Sequence, residues 1–184
     1  MHCFGPYFAR SRSRSVAAVA AMFALVSAGT AMAAVNAYLF VDGIDGPSTS
    51  RPHAIDVLSF SVGVSEAATT GGAGAHATVG KPNCSDLSIM KVLDSASIPL
   101  VAAAFTGQTL ANVKLVYTRP VLDKDVDYFT LTLSTVMVTS VQESGSNENP
   151  TESISLDAKT FTYSFTPQKP DGKLGTPIVF SGSC

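Results

Sequence analysis

From Tyr38 onward, apolar and polar residues alternate with a period of two, the pattern of strands that bury one face. Residues 38–41 form a short apolar run, which the turn residues Asp42-Gly43-Ile44-Asp45-Gly46 stop. In residues 55–64 the even positions Leu58, Phe60, Val62 and Val64 are apolar, while Ser59 and Ser61 are polar. That predicts a strand buried on its even face. Residues 84–92 alternate again, with Leu87, Ile89 and Lys91 on one side. Residues 112–118 alternate through Val113, Leu115 and Tyr117. After a turn at 167–172, residues 177–181 predict a short last strand.

Two longer segments break their own rhythm. Phe129, Leu131 and Leu133 are apolar at odd positions, but Val136 and Val138 at even ones. Ile154, Leu156 and Ala158 are even, whereas Phe161, Tyr163 and Phe165 are odd. One face stays buried through such a slip only if the strand bulges or bends, here near Ser134-Thr135 and Lys159-Thr160. Matching slips in two strands predict a sheet that turns corners, as a small barrel or a coiled sandwich does. The polar stretch 142–150 is their hairpin connection. One helix interrupts the strands. Ser97 is its candidate N-cap, Pro99 falls in the first turn, residues 100–105 are alanine-rich, and Gly107 is the stop. It spans three turns at most. Residues 67–80 are rich in Gly, Ala and Thr, with His76 as the one large side chain, and predict a long exposed loop.

Composition adds limits. A length of 184 residues allows one domain of ordinary size, and 46% hydrophobic with 14% charged residues supports a packed core. Ahead of the strands, Arg10, Arg12 and Arg14 precede an apolar run at 16–26 and the triplet Ala31-Met32-Ala33. That is the order of parts in a secretory signal peptide. Residues 1–33 are then cleaved, residues 34–184 form the mature β domain, and no membrane anchor remains. The alternative is a true start at Met32, which leaves the protein in the cytoplasm. Cleavage removes three arginines and keeps every acid, so nine basic residues face 14 acidic ones and the net charge moves from −2 to −5. An acidic chain without a basic run argues against nucleic-acid binding. Cys3 lies in the signal. Cys84 and Cys184 remain as an even pair, a candidate disulfide on condition of export, with two free thiols as the other reading.

Reactive constellations do not emerge. His53 and His76 stand in no metal-ligand spacing, and no G-x-S-x-G elbow occurs. Asp123, Asp125 and Asp127 open like a calcium loop, but Tyr128 replaces the glycine at the sixth position and no Glu stands at the twelfth, so the run reads as a solvated acidic turn. Gly71-Gly72-Ala73-Gly74 is not followed by G-K-[ST] and opens no helix, so it reads as a flexible loop and not as a phosphate cradle. Asp42 and Asp45 flank a turn glycine and serve turn geometry. No catalytic, cofactor-binding or metal-binding residue is assigned, and no cofactor is expected. An assembly or binding module fits the chain better than an enzyme does.

Taken in order, the segments resemble a known family. Y-L-F-V-D-G-I-D-G-P-S-T at 38–49 resembles the opening strand and turn of the Hcp (haemolysin-coregulated protein) family of the bacterial type VI secretion system. I-D-V-L-S-F-S-V-G-V at 55–64 is similar to the family's second strand, and D-L-S-I-M-K-V-L-D-S-A-S at 86–97 to the strand leading into its helix. L-T-L-S-T-V-M-V-T-S-V at 131–141 with P-T-E-S-I-S-L at 150–156 carries the most specific likeness, and Y-S-F-T-P-Q…D-G at 163–172 completes it. The resemblance implies a mainly β fold: a compact antiparallel β-barrel of two sheets with one short flanking α-helix. It implies a non-enzymatic subunit whose copies form a homohexameric ring. The rings stack into the inner tube, and the protein is itself secreted and carries small effectors in the channel. Sheath and spike proteins are the implied partners. An extended loop early in family members reaches the neighbouring ring, and 67–80 falls in its place, although its glycine-rich sequence departs from the pattern. The N-terminal segment also departs, because a tube subunit needs no signal. An exported Hcp-like protein acting in the periplasm or outside the cell, without a tube role, is the alternative.

Overall fold

The computed structural model describes residues 36–66, 68–69, 78–121, 124–145 and 149–184. The expected signal at 1–33, the alternative start at Met32, Cys3, His76, Asp123 and the glycines at 71–74 lie outside the described residues. The elements are β1 (Asn36–Val41), β2 (Ile55–Val57), β3 (Ser59–Ser61), β4 (Val64–Ser65), β5 (Ala68–Thr69), β6 (Thr78–Val79), β7 (Asn83–Cys84), β8 (Leu87–Val92), α1 (Ser97–Thr106), β9 (Thr109–Val121), β10 (Lys124–Ser144), β11 (Thr151–Phe165) and β12 (Ile178–Ser183).

One antiparallel sheet runs in the order β2-β1-β9-β10-β11-β8-β3, with β12 beside β11. β2 and β3 stand at opposite ends of that order, yet only Leu58 separates them in sequence. The Leu58 N–H donates to the Met90 carbonyl at 2.8 Å. The two ends of the sheet therefore meet, and it closes into a barrel. Closure has a consequence that local alternation missed. Ile55 and Val57 are buried, Leu58 is 57% exposed, and Phe60 and Val62 return to the core. The expected even-face strand is thus corrected. The chain changes partner from β1 to β8 at Leu58, and its phase slips by one residue there.

The slips in β10 and β11 belong to a single crease. Buried positions jump from Leu110 to Val113 on β9, from Leu133 to Val136 on β10 and from Ala158 to Phe161 on β11. Ser134 pairs with both Asn112 and Thr160, and Val136 with both Leu110 and Ala158. Thr135 is therefore level with Ala111 and Lys159. Three neighbouring strands slip at one level and keep their register, which bends the sheet without turning apolar side chains outward. Thr135 adopts a φ of 56°, a left-handed conformation that a β-branched residue resists. Its side chain is exposed, so Thr135→Asn is expected to raise stability by about 1 kcal/mol. Urea denaturation of the two proteins checks this.

The barrel interior is filled. Leu39, Ile55, Leu87, Leu115, Leu131, Leu133, Ile154 and Leu156 are fully buried within one cluster. The subunit is a packed core and not a pore. α1 rests Leu100 and Ala103 on this core, beside β10. Gly107 at φ 64° ends it, in agreement with the sequence. Residues 67–80 were expected to be a loop. Within them Ala68 pairs with Val79 and Thr69 with Thr78, which continues the pairing of Val64 with Cys84 and Ser65 with Asn83 just outside. Backbone pairing needs no large side chains, which is why composition alone misled. The connection between β10 and β11 is also shorter than 142–150, because Gln142 and Glu143 still pair with Ser153 and Glu152.

Candidate assembly surfaces

Two charges sit inside the barrel. Lys91 on β8 is directly opposite Glu152 on β11, and the two are 0% and 1% exposed. The Lys91 ammonium donates to a Glu152 carboxylate oxygen, to Ser97 Oγ at 3.0 Å and to the Val92 carbonyl at 2.9 Å, and Asp94 Oδ1 stands 2.9 Å away. Ser97 Oγ donates to Glu152 Oε1 at 2.6 Å and accepts the Asp94 N–H at 2.9 Å. Asp94 Oδ1 accepts the Ala96 N–H at 2.8 Å. The first turn of α1 is thereby clamped to the barrel. The expected N-cap is corrected: Ala96 holds that position without a side-chain bond. Two ionised partners draw the Ser97 hydroxyl away from capping, since bonds to charged groups are the stronger ones.

The clamp fixes the outward face of α1. Ile98 and Phe105 point to solvent, Phe105 with 89% exposure. An open groove of about 500 Å³ runs between α1 and β10, lined by Val101, Ala104, Phe105 and Val141 and by the polar Thr139, Ser140 and Glu143. A second apolar surface lies on β12. Ile178, Val179 and Phe180 are all more than 60% exposed. β12 pairs only with β11 among the described residues, so its other edge presents free backbone groups. The β4–β7 ribbon is a third feature, joined to the barrel at Gly63 and Ser85. Gly63 N donates to Ser85 Oγ at 2.7 Å, and Ser85 N to the Gly63 carbonyl at 2.9 Å.

The structure brings Cys84 and Cys184 together, with Cα atoms 5.9 Å apart, inside the range a disulfide spans. Of the other singled-out residues that are described, it joins only His53 and Asp45, at the surface. His53 is exposed, with Nδ1 3.1 Å from Asp45 Oδ1. Asp42 accepts a bond from Asn112 Nδ2 at 2.9 Å. Asp127 pairs with Arg51, and Asp125 is exposed, so these two lie on strand β10 and not in the expected turn, while Asp123 lies outside the described residues. Among the described residues no group of three or more His, Cys, Asp or Glu could hold a metal. Among them, too, no helix is long and apolar enough to cross a membrane.

A closed barrel with one helix and an arm is a shape that can be compared. A family model described as "Type VI secretion system effector, Hcp" matches residues 38–165. The chain belongs to the Hcp family. Protein hcp1 of Pseudomonas aeruginosa is 33% identical over 152 residues, covering 80% of this chain and 93% of that protein. Among solved structures, one described as a type six secretion system protein superposes with a TM-score of 0.75 at 29% identity, covering 82% of this chain and 96% of that one. Hcp1 from Salmonella typhimurium shares the fold, with a TM-score of 0.66 at 23% identity over 83% of this chain and 95% of that one. The expected mainly β Hcp barrel with one short helix is thus the fold observed.

Sequence reasoning missed Glu152 as a structural residue. A signal was present: Glu152 shares the even, inward phase of Ile154 and Leu156, and Lys91 shares that of Leu87 and Ile89. Opposite charges at inward positions of two strands mark a buried pair once the strands are known to be neighbours.

Proposed function

We propose that the chain is a non-enzymatic building block of a type VI secretion tube. Copies close into hexameric rings, the rings stack, and the protein leaves the cell with the tube, carrying small effectors in the channel. The observation that carries this reading is the closed Hcp barrel whose own interior is filled with side chains. A subunit without an internal pore supplies a channel only by surrounding one with copies of itself. The paired strands β4–β7 and β5–β6 support stacking, because they form a hydrogen-bonded ribbon where family members carry the loop that reaches the neighbouring ring. Sheath and spike proteins are the partners of the assembled tube.

Size-exclusion chromatography with light scattering tests the reading. A hexamer-sized species is expected at micromolar concentration, and a strict monomer at high micromolar concentration overturns it.

One observation favours a second reading, an exported Hcp-like protein that works outside the cytoplasm. Cys84 and Cys184 are placed for a bridge that the cytoplasm would keep reduced. N-terminal sequencing of native protein separates the two. A mature start at Ala34, in the periplasm or medium, supports export through the signal at 1–33. A cytoplasmic start at Met32 supports the tube subunit alone.

A further inference from the structure

The ribbon of β4 and β7 has little to hold it. It forms a sheet of its own, two residues to each strand, and among the described residues it pairs with no strand of the barrel. A two-stranded ribbon this short is at best marginally stable by itself. At its base the Ser85 N–H donates to the Gly63 carbonyl at 2.9 Å, and the Gly63 N–H to Ser85 Oγ at 2.7 Å. Val64, Ser65 and Asn83 are exposed, and Cys84 alone of the four ribbon residues packs against the core. Val64 and Cys84 share a cavity of about 90 Å³ with Phe161, Tyr163 and Phe180, so apolar packing across that gap is incomplete. What spans the gap is the sulfur pair. Cys84 on β7 meets Cys184, which directly follows β12, with Cα atoms 5.9 Å apart.

We propose that the Cys84–Cys184 pair is a thiol-operated fastener: closed, it holds the β4–β7 ribbon to the end of β12, and opened by a dithiol, it frees the ribbon while the barrel stays folded. The barrel closes elsewhere, at Leu58, whose N–H donates to the Met90 carbonyl. The two cysteines differ in access, because Cys184 is exposed and Cys84 half-buried. An incoming thiolate therefore attacks Cys184 Sγ. A new S–S bond joins Cys184 to the reductant, the bond to Cys84 breaks, and Cys84 leaves as a thiolate that takes up a proton. The second thiol of the reductant then attacks the reductant's own sulfur in the mixed disulfide and releases Cys184, which is protonated in turn. The reductant ends as a disulfide, and the chain has gained two electrons and two protons. Closure runs the same exchange in reverse with a disulfide oxidant such as glutathione disulfide. A thiol-rich compartment holds the free form and an oxidising one the fastened form. This goes beyond the assembly reading and stands without it.

Hydrogen exchange read by mass spectrometry tests the fastener on the whole protein. In the oxidised wild type, peptides covering 62–66 and 82–86 should be partly protected. After dithiothreitol they should exchange about tenfold faster, while peptides from β9 and β10 keep their protection at the same times. Equal exchange of the ribbon peptides in both states overturns the proposal. So does an acceleration as large in β9 and β10, because the bridge would then hold the whole barrel and not the ribbon. The paired variant Cys84→Ser with Cys184→Ser should show the fast ribbon exchange from the start and ignore dithiothreitol. A response of that variant to dithiothreitol would show that the effect does not come from the bridge. The single variants test the order of attack. With glutathione disulfide, Cys184 in the Cys84→Ser protein should take up glutathione about tenfold faster than Cys84 in the Cys184→Ser protein. The opposite order overturns the assignment of Cys184 as the sulfur attacked.

Discussion

Glu152→Leu is expected to cost about 3–5 kcal/mol of folding stability, the usual penalty for leaving one partner of a buried ion pair alone. Lys91 is fully buried, and its ammonium would lose the buried one of its two carboxylate partners and keep Ser97, the Val92 carbonyl and the partly accessible Asp94. Domains are stable by only about 5–15 kcal/mol, so the loss is a large share of the total. Urea denaturation followed by circular dichroism measures it. The double substitution Lys91→Met with Glu152→Leu is expected to recover most of the loss, because replacing both charges removes the desolvation cost along with the attraction. A single substitution costing under about 1 kcal/mol would show that the clamp does not hold the barrel. The helix gives a second readout. α1 is tied to the barrel through Ser97, so its amides should exchange faster in the single variant, while those of β9 and β10 change least.

The paired change Cys84→Ser with Cys184→Ser should lower stability by about 2–5 kcal/mol relative to oxidised wild type. A bridge between residues 100 positions apart closes a long loop, and it removes more entropy from the unfolded chain than a short loop does. It also ties the end of β12 to β7. Alkylation of purified protein without reductant should label neither thiol. Label on both would exclude the bridge. Dithiothreitol should lower the melting temperature of the wild type and leave the serine variant unchanged, which separates bridge loss from a packing defect.

Most of the strand content was legible because the period-two pattern is local. Val113, Leu115 and Tyr117, or Leu87, Ile89 and Lys91, declare their face within a few residues. The slips at Thr135 and Lys159 were legible for the same reason, since each is a change of parity within one strand. The Gly107 stop and the place of Pro99 followed from backbone chemistry alone. The site was less legible. Ser97 looked like a cap because serine before a helix usually is one, and only the nearness of Lys91 and Glu152 reassigns its hydroxyl. Residues 67–80 suggest a loop because their small side chains show no alternation, while the pairing of Ala68 and Thr69 with Val79 and Thr78 lies in the backbone.

The sequence by itself determined which residues face inward along most of the longer strands, where the helix ends, and which family the order of motifs matches. These depend on side-chain period and turn chemistry over a few neighbouring residues. Tertiary structure alone decided the rest. It made Leu58 the seam where the sheet closes. It turned two isolated slips into one crease shared by three strands. It set Lys91 against Glu152 across 61 residues, and Cys84 beside Cys184 across 100. Each of these joins residues far apart in the chain. A local pattern states which face a residue takes, and closure of the barrel states what it meets there.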